Sequence, residues 1–170
     1  MKIRRHHRWD LTPSEAIALQ ARLAREIVVR DDLGPVAHVA GVDVGFEAAG
    51  ATTRAAAVVL SVPALQQETA AIARLPTRFP YVPGLLSFRE APAVLAAIGQ
   101  LAVRPDLLLC DGQGIAHPRR FGIACHLGLI LDVPAIGVAK TLLIGSHDAV
   151  PDRRGAWVPL KDGDQTIGAV

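Results

Sequence analysis

Apolar positions in this chain follow two periods, one helical and one extended. Leu19, Leu23 and Ile27 fall four residues apart, which places them on one face of a helix. Ahead of them, Thr12-Pro13-Ser14-Glu15 reads as a helix start, with Thr12 as cap, Pro13 at the first helical position and Glu15 closing a capping box. Gly34-Pro35 predicts the end of that segment. Residues 36–46 form a nearly continuous apolar, β-rich run, the pattern of a buried strand. A turn over 47–52 leads to predicted strands over 54–62 and 66–75, and the short links make the three an antiparallel meander. After a Pro- and Arg-rich loop at 76–83, the pattern predicts a helix over 91–101 with Pro92 in its first turn. A strand over 106–111, a helix over 119–131 and a strand over 135–139 follow. This alternation implies parallel pairing through crossover helices.

A meander followed by alternating elements predicts an α/β fold of the ribonuclease H-like type. Its mixed sheet combines a three-strand antiparallel meander with parallel strands and is flanked by helices. Two last strands are predicted over 157–160 and 165–170, around the turn Lys161-Asp162-Gly163-Asp164. The chain then stops on Gly168-Ala169-Val170. The expectation is therefore a single domain over 1–170, incomplete at its C-terminus.

Composition narrows the class. Apolar residues make up 51% of the 170 and aromatics 4%, so a core is affordable and must be built from Val, Leu, Ile and Ala. No apolar run reaches the ~18–20 residues of a membrane span. No apolar segment follows the basic start Met1-Lys2-Ile3-Arg4-Arg5-His6-His7-Arg8, which argues against a secretory signal. Cys110 and Cys125 form neither a disulfide framework nor a zinc pattern, and point to a reducing, cytoplasmic setting. The net charge of +2 is compatible with a polyanionic partner without requiring one.

Five positions carry candidate chemistry. Asp43 lies inside the first apolar strand, where a carboxylate is costly unless paired, hydrogen-bonded or bound to metal; an Asp-x-Gly turn is the competing reading. Asp111 closes the 106–111 strand, where α/β sheets place ligands, but Asp-Gly is also an ordinary turn. In a ribonuclease H-like sheet the first and fourth strands are neighbours, so the two carboxylates should converge. Glu90 reads either as a capping-box partner of Ser87 or as a third carboxylate of a hard-oxygen site for Mg²⁺ or Mn²⁺. Such a site activates water and stabilises the departing oxyanion in phosphodiester hydrolysis. Lys140 reads as a cation that binds phosphate or orients water, or as a solvated lysine. His117 reads as a phosphate or substrate contact, or as a hydrogen-bonded structural histidine. Separately, Pro80-Tyr81-Val82-Pro83-Gly84 holds the only tyrosine on a stiff loop. It is either a wedge that replaces a flipped base or a surface turn with Tyr81 packed down.

Four segments resemble the endonuclease V family: Val39-Ala40-Gly41-Val42-Asp43-Val44, the run from Pro80 to Glu90, the run from Asp111 to Arg119, and Ile136-Gly137-Val138-Ala139-Lys140. Their order and separation also match, and the resemblance extends from about Trp9 to the last residue. It implies a DNA-repair endonuclease that hydrolyses a phosphodiester 3′ to a deaminated purine, one nucleotide beyond it, with Mg²⁺ or Mn²⁺ as cofactor. Deoxyinosine in DNA is the characteristic lesion, and some relatives also cut inosine-containing RNA. By the same resemblance Asp43, Glu90 and Asp111 are the metal carboxylates and, with Lys140, the catalytic set. Tyr81 and Pro83 belong to the wedge loop. Gly84, Leu86, Gly112 and Gly122 belong to the flipped-base pocket, and Arg89 and His117 contact substrate. Family members continue past 165–170 with a further strand and helix, so the resemblance also implies a truncated chain. The alternative is a lesion-binding module of the same fold that does not cut. A junction resolvase or ribonuclease H fits less well, because the Pro80–Gly84 loop and the Asp111–Arg119 segment are not theirs.

Overall fold

The computed structural model describes residues 7–31 and 33–170; the basic stretch 1–6 lies outside the described residues. Strands β1 (His38–Glu47), β2 (Thr52–Ser61) and β3 (Gln67–Pro76) form the expected meander, and β4 (Leu107–Asp111) and β5 (Ala135–Val138) complete a five-stranded sheet. The order is β3-β2-β1-β4-β5, antiparallel on the meander side and parallel for β1–β4 and β4–β5. Asp106 helps set the register of the parallel half, since its Oδ2 accepts from both Ala37 N and His38 N at 2.9 Å.

One face of the sheet is packed. Alternate residues Ala40 and Val42 of β1, Ala55, Ala57 and Val59 of β2, and Leu108 and Cys110 of β4 are buried there, as the two-residue period of a strand requires. Against them lie the helices α2 (Leu86–Ile98) and α3 (Ile123–Leu131), which contribute Ala91, Val94, Ala97, Leu127 and Leu131. Alanines on both sides of this contact suit a chain so poor in aromatics. A second cluster packs α1 (Pro13–Leu23) through Ala16, Leu19 and Leu23 onto Phe79, Leu85, Phe88 and Phe121. The hairpin β6 (Pro159–Asp162) and β7 (Gln165–Ala169) forms a separate small sheet. It is seated by Leu160 and Ile167 on Ala116 and tied by Arg120, which reaches Asp162 and Gln165.

Several boundaries differ from the sequence expectation: β6 covers Pro159–Asp162 and not 157–160, which leaves Gly163-Asp164 as the turn, and α2 ends at Ile98 and not at 101. α1 has the predicted Thr12–Glu15 capping box but ends at Leu23, after which a 3₁₀ turn leads to extended Ile27; the β-branched run Ile27-Val28-Val29 disfavours further helix. α2 begins at Leu86, not at residue 91, and carries Pro92 in its interior, where the missing N–H costs one helical hydrogen bond. α3 begins at Ile123, not at 119, because Arg120 has φ +54 and Gly122 is extended. No helix among the described residues is long and apolar enough to cross a membrane.

Candidate active site

The β1–β4 register brings the two strand carboxylates together. Val42 stands opposite Cys110 in parallel pairing, so Asp43 and Asp111 follow side by side. Asp43 Oδ1 accepts the Val44 N–H at 2.8 Å. Lys140, two residues beyond β5, donates from Nζ to Asp111 Oδ2 at 2.7 Å, and this contact first of all holds the Asp111 carboxyl below its ordinary value.

Glu90 arrives from α2. The capping-box alternative does not hold: Leu85 is the N-cap with no side-chain hydrogen bond, and the Ser87 hydroxyl lies 2.9 Å from His126 Nδ1. Glu90 lies inside the helix, buried, with no hydrogen-bond partner for its carboxylate among the described residues. Burial, then the Asp111 and Asp43 carboxylates, push it up to about 7. Three carboxylates thus share one region, with Lys140 against Asp111 and the Arg89 charge acting on Glu90 to offset them. The donor set is all oxygen, which suits a hard divalent cation. Among the described residues no three such groups already stand as a closed ligand cluster; Lys140 lies against Asp111 instead.

All four groups line one cavity of about 390 Å³. Also on its wall are Tyr81, Val82, Pro83, Gly84, Leu86 and Ser87 from the 81–87 segment and Gly112, Gln113, His117, Gly122 and Ile123 from the 112–123 segment. Every glycine and loop residue assigned to a base pocket is therefore on this wall. Tyr81 is 72% exposed at the rim; it is not packed down. All three wall glycines are short of space, Gly112 (φ +133) with a Cβ that would stand 2.8 Å from Ile123 Cγ2. A Cβ on Gly122 would collide with the Gln113 carbonyl, and one on Gly84, which has φ +78, would stand 2.8 Å from Arg119 Nη2.

His117 lines the cavity with both ring nitrogens occupied. Arg119 N donates to Nδ1 at 3.1 Å, so the ring proton belongs on Nε2, which donates to Gly84 O at 2.9 Å. Burial above all keeps this ring below its ordinary value, with Arg119 and Arg120 adding to the effect against the pull of the Gly84 contact. Arg89 is not on the cavity wall: its guanidinium lies 4.4 Å over the Phe46 ring, with Nε buried and unpartnered among the described residues. Gln20 is a wall residue that sequence patterning passed over. Its signal is a polar side chain on the buried stripe of α1, between Ala16 and Leu23.

A sheet in this order, with carboxylates from its first and fourth strands and from the first crossover helix around one cavity, defines a ribonuclease H-like α/β protein. A family model described as Endonuclease V matches residues 21–170. Endonuclease V of Trichormus variabilis is 54% identical over 100% of this chain and 77% of its own length. The crystal structure of endonuclease V from Streptomyces avermitilis superposes with a TM-score of 0.89 at 41% identity, over 99% of this chain and 75% of that one. A structure of Ciona intestinalis endonuclease V bound to a 23mer DNA with an inosine followed by a ribo-adenosine has a TM-score of 0.71 at 30% identity, over 80% of this chain and 61% of that one. The chain belongs to the endonuclease V family, a family of phosphodiester hydrolases.

Proposed function

We propose that this chain nicks nucleic acid on the 3′ side of a deaminated purine, deoxyinosine in DNA above all, one nucleotide beyond the base. The observation that carries this reading is the composition of the cavity wall. Three carboxylates and a lysine share this lining with Gly84, Gly112, Gly122 and the exposed Tyr81. The relative whose structure holds inosine-containing DNA supports the same substrate.

Each part has a physical task. A deaminated purine pairs poorly, so extruding it costs less than extruding a normal base. Tyr81, on its proline-stiffened loop, fills the gap left in the stack. Gly84, Gly112 and Gly122 let backbone groups approach the edge of the extruded base. Asp43, Glu90 and Asp111 would hold Mg²⁺ or Mn²⁺, which supplies water activation and charge neutralisation at the departing oxygen. Lys140 holds Asp111 in place and presents a cation to the scissile phosphate. None of these residues attacks the base, so the lesion is recognised but not excised.

The test is cleavage of an end-labelled oligonucleotide with one deoxyinosine, in Mg²⁺, by this chain and by Asp43→Ala. The expected result is a metal-dependent nick one nucleotide 3′ of the lesion that the variant does not make. Lesion-selective binding with no nick from either protein would favour the non-cutting lesion-binding module.

A further inference from the structure

Gln20 is nearly inaccessible to solvent at 1% exposure, and it uses its whole carboxamide. Its Nε2 donates to Gly84 O and to Phe121 O, each at 3.0 Å, and its Oε1 accepts from Arg119 Nε at 2.6 Å. Two acceptors face the nitrogen and one donor faces the oxygen, so the orientation of the amide is fixed. Gly84 belongs to the Tyr81 loop, and Phe121 precedes Gly122, which also lines the cavity. Both carbonyls are thus within one hydrogen bond of a single nitrogen. The Gly84 oxygen is held further by His117 Nε2 and Arg119 Nη2, both at 2.9 Å. Two of the three donors on this carbonyl depend on Gln20, namely its own Nε2 and the Arg119 guanidinium that its Oε1 holds.

We propose that Gln20 is a positioning residue that sets the width of the lesion recess, by tying the wedge loop at Gly84 to the segment before Gly122 at Phe121 through α1. The inference rests on the deaminated-purine reading above. Recognition by backbone groups depends on the spacing of the two segments, because a flexible side chain cannot reach across to correct it. A drift of either segment weakens discrimination between hypoxanthine and adenine and leaves Asp43 and Asp111, on β1 and β4, in place. Helix α1 carries no group of the catalytic set, yet it would control which base is accepted.

The test compares the parent chain with Gln20→Met, which keeps volume and removes all three hydrogen bonds, and Gln20→Glu, which keeps the acceptor for Arg119 and removes both donors. Steady-state cleavage is measured on deoxyinosine and deoxyadenosine oligonucleotides. Both variants should raise KM for the deoxyinosine substrate about tenfold while kcat changes less than about threefold, and selectivity over deoxyadenosine should fall with KM. If Gln20→Met does not fold, Gln20→Glu carries the comparison. The parent provides an arm that needs no variant: by NMR, exchange of the Gln20 carboxamide protons should slow on adding the deoxyinosine oligonucleotide and not the deoxyadenosine one. Folded variants with parental KM and selectivity, or carboxamide protons indifferent to the lesion, overturn the clamp alone. A parent that neither binds nor cuts deoxyinosine in preference to deoxyadenosine overturns the lesion reading, and the clamp with it.

Discussion

Replacing Glu90 with glutamine should make the metal-free protein more stable at alkaline pH while abolishing cleavage. Glu90 is 8% exposed and its pKa is moved from 4.5 to about 7, by burial first and then by Asp111 and Asp43. The folded chain therefore holds the Glu90 proton more tightly than the unfolded chain does. Stability from this group is fully present below 4.5, declines as pH rises toward about 7, and is level above that. The whole span corresponds to about 3 kcal/mol. The glutamine side chain does not titrate, so Glu90→Gln should exceed the parent by about 3 kcal/mol at about pH 8 and by less than about 1 kcal/mol at about pH 5. Urea unfolding in a chelator at the two pH values measures this directly, and the midpoints at about pH 8 should differ by roughly 1–2 M. Mg²⁺ added at about pH 8 should raise the parent midpoint and move the variant much less, since binding to the folded state alone stabilises by mass action. A variant no more stable than the parent at the alkaline pH, or one whose advantage is the same at both pH values, would refute the claim that Glu90 is a strained carboxylate held for a cation.

Three further outcomes are expected. Tyr81→Ala, at an exposed rim position, should leave stability within about 0.5 kcal/mol and weaken binding to a deoxyinosine duplex, as read by fluorescence anisotropy; an early-melting variant would mean that the ring supports the fold. Gly122→Ala puts a methyl into the Gln113 carbonyl and should cost about 2 kcal/mol or more in thermal unfolding, with loss of cleavage. Lys140→Met removes the partner of Asp111 from an exposed site, so its melting curve should match the parent while kcat falls about a hundredfold or more; unchanged kcat would assign Lys140 to the solvated surface.

The strands were legible because apolar runs and short turns carry local information. The 36–46 run matches β1 within two residues, and the meander followed from link lengths. The convergence of Asp43 and Asp111 needed the fold as well as the motifs, since it depends on Val42 meeting Cys110 across the sheet. Helix starts were less legible. The Pro92 signal suggested a first turn, whereas α2 starts six residues before it, at a place set by Gly84 and Leu85. Tertiary burial of Phe88, Ala91 and Val94 overrides the local proline preference there. Gln20 left only a faint trace, because its partners are 64 and 101 residues away and such contacts have no local pattern.

Buried polar residues nonetheless mark the site in a way the sequence pattern hints at. Six polar or charged side chains are buried among the described residues: Gln20, Thr53, Ser87, Glu90, His117 and His126. Gln20, Ser87, Glu90 and His117 line the cavity, and His126 meets Ser87. Only Thr53, bonded to Thr77, stands apart. Burying polar groups opposes folding unless they are satisfied, and conflicts between local pattern and burial gather where function demands them. In α1 and α2 the polar residues that interrupt an apolar stripe, Gln20 and Glu90, mark the two ends of one task. Gln20 is fully satisfied and so can hold the recess rigid. Glu90 is left without a protein hydrogen-bond partner among the described residues and faces the cavity, where a bound cation would satisfy it.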